Sequence, residues 1–220
     1  MKMAQIKSFA APHKGLRNVI ARFTLFLGSI DFVNPCQLRQ LKDLGHEMFT
    51  LLNHHAHSEN EHTLKHLEER AKGASEHDSR DHQRLELIQQ ALQQQLLGFT
   101  GNESWDEIHL FYLNASRFQS QYLEHIFEEE TVTELLLQQH FTDEELIEHR
   151  ISLMRSFEFP LLLLWLKYII PAQREAENVG MLSGLKATAS NEAFEQIMTT
   201  IKGEMDTERF QALHSKVNGS

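Results

Sequence analysis

Apolar residues recur every three or four positions along most of this chain, the period of a helix buried on one face, and no stretch alternates residue by residue as a half-buried strand does. Between Pro35 and Pro160 no proline interrupts that pattern, so the expected fold class is all-α. A first helix is predicted from Pro12 to Ile30, with His13, Leu16, Ile20, Phe23, Leu27 and Ile30 on one stripe. It stops before Asn34-Pro35, because the residue preceding a proline disfavours the α conformation. Pro35 then opens a second helix reaching Ala71, which Gly73 ends. A third runs from Ser75 to Leu97 on Leu85, Ile88, Leu92 and Leu96. Ser104 and Glu107 form a capping-box pattern for the fourth, whose stripe continues unbroken through Ile108, Phe111, Ala115, Phe118, Tyr122, His125, Glu129, Val132 and Leu136. Thr142 with Glu145 caps a fifth helix, broken near Pro160, and shorter helical pieces follow. Long helices with short links predict an up-down-up-down four-helix bundle over residues 1–141, with residues 142–220 as a helical extension packed on it in one structural domain.

Two polar interruptions of these stripes carry the chemistry. Burying a histidine and a carboxylate on an apolar seam costs several kcal/mol unless a charge partner or a metal offsets it. The fourth helix does this with His125 and Glu129, whose i, i+4 spacing puts both on one face. A buried salt bridge would need a Lys or Arg, and the facing stripes carry almost none. In the second helix the stretch Asn53 to Thr63 has a single apolar residue, Ala56, so something polar occupies the centre there. Two pairs compete. The upstream stripe Leu44, Met48, Leu51 runs in phase to His55 and Glu59, whereas His57 lies about 180° from Met48. Downstream, Leu64 is in phase with His57 and Glu61 instead. Periodicity leaves both pairs open. The first helix offers His13 and the third His77 or His82.

Composition narrows the class. The formal net charge of -10, with no cluster of Lys or Arg, argues against nucleic acid as a partner. Cys36 is the only cysteine, so neither an intrachain disulfide nor a thiolate site can form. The opening residues lack the apolar core of a signal peptide, and the run Phe159 to Pro171 falls short of the ~20 residues that span a bilayer. A cytoplasmic protein without membrane contact, monomeric or homodimeric, is expected. The 14 histidines, against 21 Lys and Arg, fall mostly between His46 and His149. Outside the core stripes, His54, His57, His62, His66, His109, His140 and His149 are expected to be solvated or to support the site, with His62 and His66 spaced for adventitious metal. The run Glu128 to Glu130 is expected to be a solvated face with only Glu129 turned inward.

The string HAHSENEHTLKHLEERAKG, followed by SRDHQRLELIQQAL and then by YLEHIFEEE and FTDEEL, resembles the hemerythrin-like HHE cation-binding family, in a bacterial branch with a helical tail. Four separated elements occur in order over roughly residues 10 to 150. The resemblance implies a four-helix bundle holding two iron ions, carboxylate-bridged and oxo- or hydroxo-bridged, with manganese also suited to the donors. The implied ligands are His13 in PHKGLR, His55 and Glu59, His82 in Asp81-His82-x-x-Leu85, and His125 and Glu129, with His77 as an alternate. The chain departs from the oxygen carriers, which place two histidines four apart on the third helix where this one has Asp78 and His82. It also has His-x-x-x-Glu where the carriers use a longer His-to-Asp spacing. Four histidines and two glutamates are similar to the set of iron-centre repair and iron-sensing members. The expected function is to bind or react with O2, NO or peroxide as a sensor, scavenger or iron-handling protein. The rival is a di-iron oxidase or oxygenase acting on a small organic substrate. Tyr122, one turn before His125, is a candidate hydrogen-bond donor to a bound oxygen species.

Overall fold

The predicted helices form, with two local departures that shape the site. The computed structural model describes residues 6–219, and the regular elements among them are all helical. Helix α1, Ala10–Leu27, buries His13, Leu16, Val19, Ile20, Phe23 and Leu27, and ends before the expected Ile30. Helix α2, Pro35–Ser58, starts with the Asn34 side chain accepting the backbone N–H groups of Cys36 and Gln37. Pro35 sits in its first turn, where a missing N–H leaves no bond unmade.

Helix α2 does not run straight on to Ala71. A π-turn, Glu59–Thr63, joins it to α3, Leu64–Arg70. Helix α4, Glu76–Gly98, follows, and then α5, Trp105–Glu128, opened by the reciprocal Ser104 and Glu107 capping box. A second π-turn, Glu129–Thr133, leads into α6, Glu134–His140. A π-turn holds one residue more than an α-turn, so the buried face leaves it in a different phase from the one in which it entered.

That phase shift resolves the competition in the second helix. His55 and Glu59 are buried, His57 and Glu61 are exposed, and the buried face resumes at Thr63, Leu64 and Leu67. The conflicting phase of Leu64 is the trace of the π-turn. In α5 the same device corrects the predicted stripe. Val132 is exposed and Leu136 only half-buried, because the extra residue turns Thr133, Glu134 and Leu137 inward instead. Ile108, in the first turn of α5, is also only half-buried.

Contacts divide the chain into two compact units, Met1–Ser156 and Phe157–Ser220. In the first, α1 packs on α2 and α5, and α4 packs on the same two helices. Gly45 permits a close approach there: an added Cβ would collide with the Leu96 side chain and come within 3.2 Å of Phe23. Helix α7, Asp143–Ser156, belongs to this unit, since Leu146 buries with Phe9, Leu67 and Leu137, and Glu145 pairs with Arg70. The apolar core of α1, α2, α4 and α5 thus gives way to a polar layer and resumes beyond it around Phe9 and Leu67.

The second unit holds α8, Phe159–Ala172, α9, Glu175–Thr188, α10, Asn191–Lys202, and α11, Thr207–Asn218. Its core is apolar, formed by Leu166, Ile170, Leu182, Ile197, Ile201, Leu213 and their neighbours. No helix among the described residues is long and apolar enough to cross a membrane.

Candidate metal centre

The polar layer is made by the six side chains His13 from α1, His55 from α2, Glu59 and Glu129 from the first positions of the two π-turns, His82 from α4 and His125 from α5. None is more than 5% exposed. Glu129 stands between two pairs of imidazoles. Its Oε2 lies 3.3 Å from His13 Nε2 and 3.8 Å from His55 Nε2, and its Oε1 lies 3.3 Å from His82 Nε2 and 3.2 Å from His125 Nε2. Glu59 touches both sides as well, with Oε2 3.3 Å from His55 Nε2 and 3.4 Å from His82 Nε2, and Oε1 3.9 Å from His13 Nε2.

The expected alternate does not join them. His77, in the first turn of α4, is exposed and pairs with Glu128 at 2.8 Å, because its position on the helix faces away from the seam that His82 follows. Asp78 is buried, and its Oδ2 accepts a 2.6 Å hydrogen bond from Thr133 Oγ1 in the second π-turn.

The outer nitrogens of two imidazoles are held by the residue that follows each glutamate. Glu130 Oε1 lies 2.9 Å from His13 Nδ1 and also accepts a 2.6 Å bond from Arg17. Asn60 Oδ1 lies 2.9 Å from His82 Nδ1. An oxygen on Nδ1 fixes the ring and turns Nε2 to the centre. The sequence places Glu130 on a solvated face and gives Asn60 no role toward a histidine; the signal that could have found both is that each directly follows a seam glutamate. Phe9 stacks on His13 at 5.2 Å, and Tyr122 meets His125 edge-on at 5.9 Å. The Tyr122 hydroxyl is buried without a hydrogen-bond partner.

Without a metal these groups share protons. Burial pushes His82 down, but the Glu129 and Glu59 carboxylates outweigh it and hold its pKa up at about 10. His13 is likewise raised well above its usual value, with Glu129, Glu130 and Glu59 overcoming burial. Burial pushes Glu129 up, yet the four surrounding imidazoles hold it well below the usual carboxylate range. Tyr122 keeps its phenolic proton, pushed well above its usual value by burial and then by the charges of Glu129 and Glu59.

The geometry suits a cation better than this proton sharing. His13 Nε2, His82 Nε2, His125 Nε2, Glu59 Oε2 and both oxygens of Glu129 are buried and make no hydrogen bond, although the facing atoms stand 3.2 to 3.4 Å away. Buried donors that face one another at this spacing without hydrogen bonds are separated as on one edge of a coordination shell, since metal–donor bonds of ~2.1 Å at right angles separate the donors by ~3 Å. His13, His55, Glu59 and Glu129 form one such group, and His82, His125 and Glu129 another. Imidazole with carboxylate, and no thiolate, is a mixed set suited to iron or manganese.

No curated protein and no solved structure matches the chain. The family model of the hemerythrin HHE cation-binding domain matches residues 5–136, a segment that includes all six of these residues. By that match, over more than half its length, the chain belongs to the hemerythrin HHE cation-binding family.

Proposed function

We propose that the six side chains hold a dinuclear iron centre, for which manganese also fits the donors, inside an up-down-up-down four-helix bundle. Its function is to bind or react with O2, NO or peroxide, as a sensor, scavenger or iron-handling protein. The observation that carries this reading is Glu129, whose two buried oxygens face two different pairs of imidazoles. A carboxylate so placed could be shared by two ions, one that His13 and His55 would help to hold and one that His82 and His125 would help to hold. Glu59 supports the same arrangement, since its Oε2 approaches an imidazole of each pair.

Two ions held this way would supply positive charge and open coordination positions to a small ligand. The protein's own contribution is to orient the donors and keep water out. Glu130 and Asn60 fix the rings of His13 and His82, and the apolar side chains on either side of the layer exclude solvent. Tyr122, protonated and without an acceptor, is available to donate a hydrogen bond beside His125.

The test is spectroscopic. Metal-free protein loaded with ferrous ion and exposed to air should develop near-ultraviolet charge-transfer bands, and loading without air followed by NO should give a different visible spectrum. A spectrum unchanged by O2, NO and peroxide alike would sink the proposal.

A further inference from the structure

Every donor of the centre is buried, so a hydrated cation has to exchange its water for protein ligands before reaching it. Another group of metal-ligating side chains lies one layer further out. His77 and Asp81 on α4 and Glu128 at the end of α5 offer donor atoms within 4.8 Å of one another. His77 is open to solvent, and Asp81 and Glu128 are half-buried. Asp81 directly precedes His82 and Glu128 directly precedes Glu129, so the outer trio is borne by the same helical turns as part of the inner set.

Asp81 connects the two layers. Its Oδ1 accepts from Arg84 Nε at 3.3 Å, while its Oδ2 lies 3.8 Å from Nδ1 of the buried His125. The opposite nitrogen of that ring, Nε2, faces Glu129 without a hydrogen bond. A file of donors therefore runs from exposed His77 and half-buried Glu128 through Asp81 and His125 to the centre. An exposed His77–Glu128 ion pair contributes little by itself, and Asp81, four residues after His77 on the same face of α4, adds a second carboxylate to it.

We propose that His77, Asp81 and Glu128 form an outer divalent-cation site that captures ferrous or manganous ion from solvent and passes it to the buried centre, a role that rests on the dinuclear reading above. One imidazole and two carboxylates match the donor classes of the inner set, so the outer site selects the same cations. It holds them more weakly, because its groups are solvated and one of them is tied to Arg84. Transfer requires only ligand exchange, with no change of oxidation state.

The experiment uses full-length protein, metal-free, with Mn2+ as the probe. Crystals soaked in Mn2+ should show anomalous density at the trio as well as at the centre. In solution, His77→Ala combined with Glu128→Gln should slow filling of the centre by about tenfold or more at low micromolar Mn2+, the scale of electrostatic capture, while the final metal content and the melting temperature of the loaded protein stay unchanged. Filling at the wild-type rate overturns the proposal. A filled centre with an empty trio also overturns it, whereas a filled trio with a centre that never takes metal overturns the dinuclear reading instead.

Discussion

Position by position, α2 with its π-turn and α5 with its own carry corresponding residues: His55 and His125, Glu59 and Glu129, Thr63 and Thr133, Leu67 and Leu137. All eight are buried. In each helix the residue after the glutamate reaches the imidazole of another helix, Asn60 to His82 and Glu130 to His13. Here the likeness ends. Asn60 is neutral, whereas Glu130 is a carboxylate paired with Arg17. Glu59 approaches three imidazoles and Glu129 four. Where α3 has Leu64, α6 has Glu134, buried because its carboxylate accepts the backbone N–H groups of Ser8 and Phe9. One scaffold used twice thus makes two arms of different charge, and the α5 arm carries more of the electrostatic burden.

Breaking that inequality should give the largest effect. Glu129→Gln removes the carboxylate that all four histidines face and should leave the protein nearly metal-free, while Glu59→Gln should retain about one ion per chain of the two. Elemental analysis of both variants decides it, and equal losses would mean that the arms are equivalent. The π-turn register comes next. Leu137→Ala should destabilise by about 2–5 kcal/mol, as a buried leucine does, and Val132→Ser by under ~0.5 kcal/mol, as an exposed position does. Urea unfolding of both variants measures the difference, and a costly Val132→Ser would restore the regular α stripe.

That contrast also marks what was legible. The helices, the capping boxes and the buried positions of His125 and Glu129 could be read from period, because apolar residues mark one face over several turns, whereas the choice of His55 with Glu59 and of His82 over their neighbours came from the family resemblance. The π-turns could not be named, though one left a trace. After Glu59 the sequence has only Leu64 and Leu67 as apolar markers before Ala71, and their phase disagreed with that of Met48 and Leu51. After Glu129 come Val132, Leu135, Leu136 and Leu137, which offer an apolar residue on almost any phase, so the shift was invisible there. Glu130 and Asn60 were missed for another reason: a hydrogen bond to a histidine on a different helix leaves no period in the sequence.

Glu130→Gln should sharpen the comparison at a smaller scale. Losing the charged support of His13 should weaken metal binding by about 10- to 100-fold, and Asn60→Ala, which removes a neutral support, should lie at the lower end of that range. Competition with a chelator measures both, and a larger loss for Asn60→Ala would reverse the assigned asymmetry.

The smallest effect is one of pH. In metal-free protein His82 has its pKa raised from 6.5 to about 10, so the stability it contributes is whole below pH 6.5 and is lost as pH rises toward 10. A metal held by His82, as proposed, would displace that proton, so loading should release protons at neutral pH. Calorimetric titration in buffers of different ionisation enthalpy detects the release, and heats that do not depend on the buffer would contradict it.

The most direct test of the central claim is the metal content of the aerobically purified chain. The proposed dinuclear centre, with Glu129 shared between its ions, predicts about two irons, or manganese in their place, per chain. Zinc, or a protein that purifies without metal and takes up none, would contradict the account.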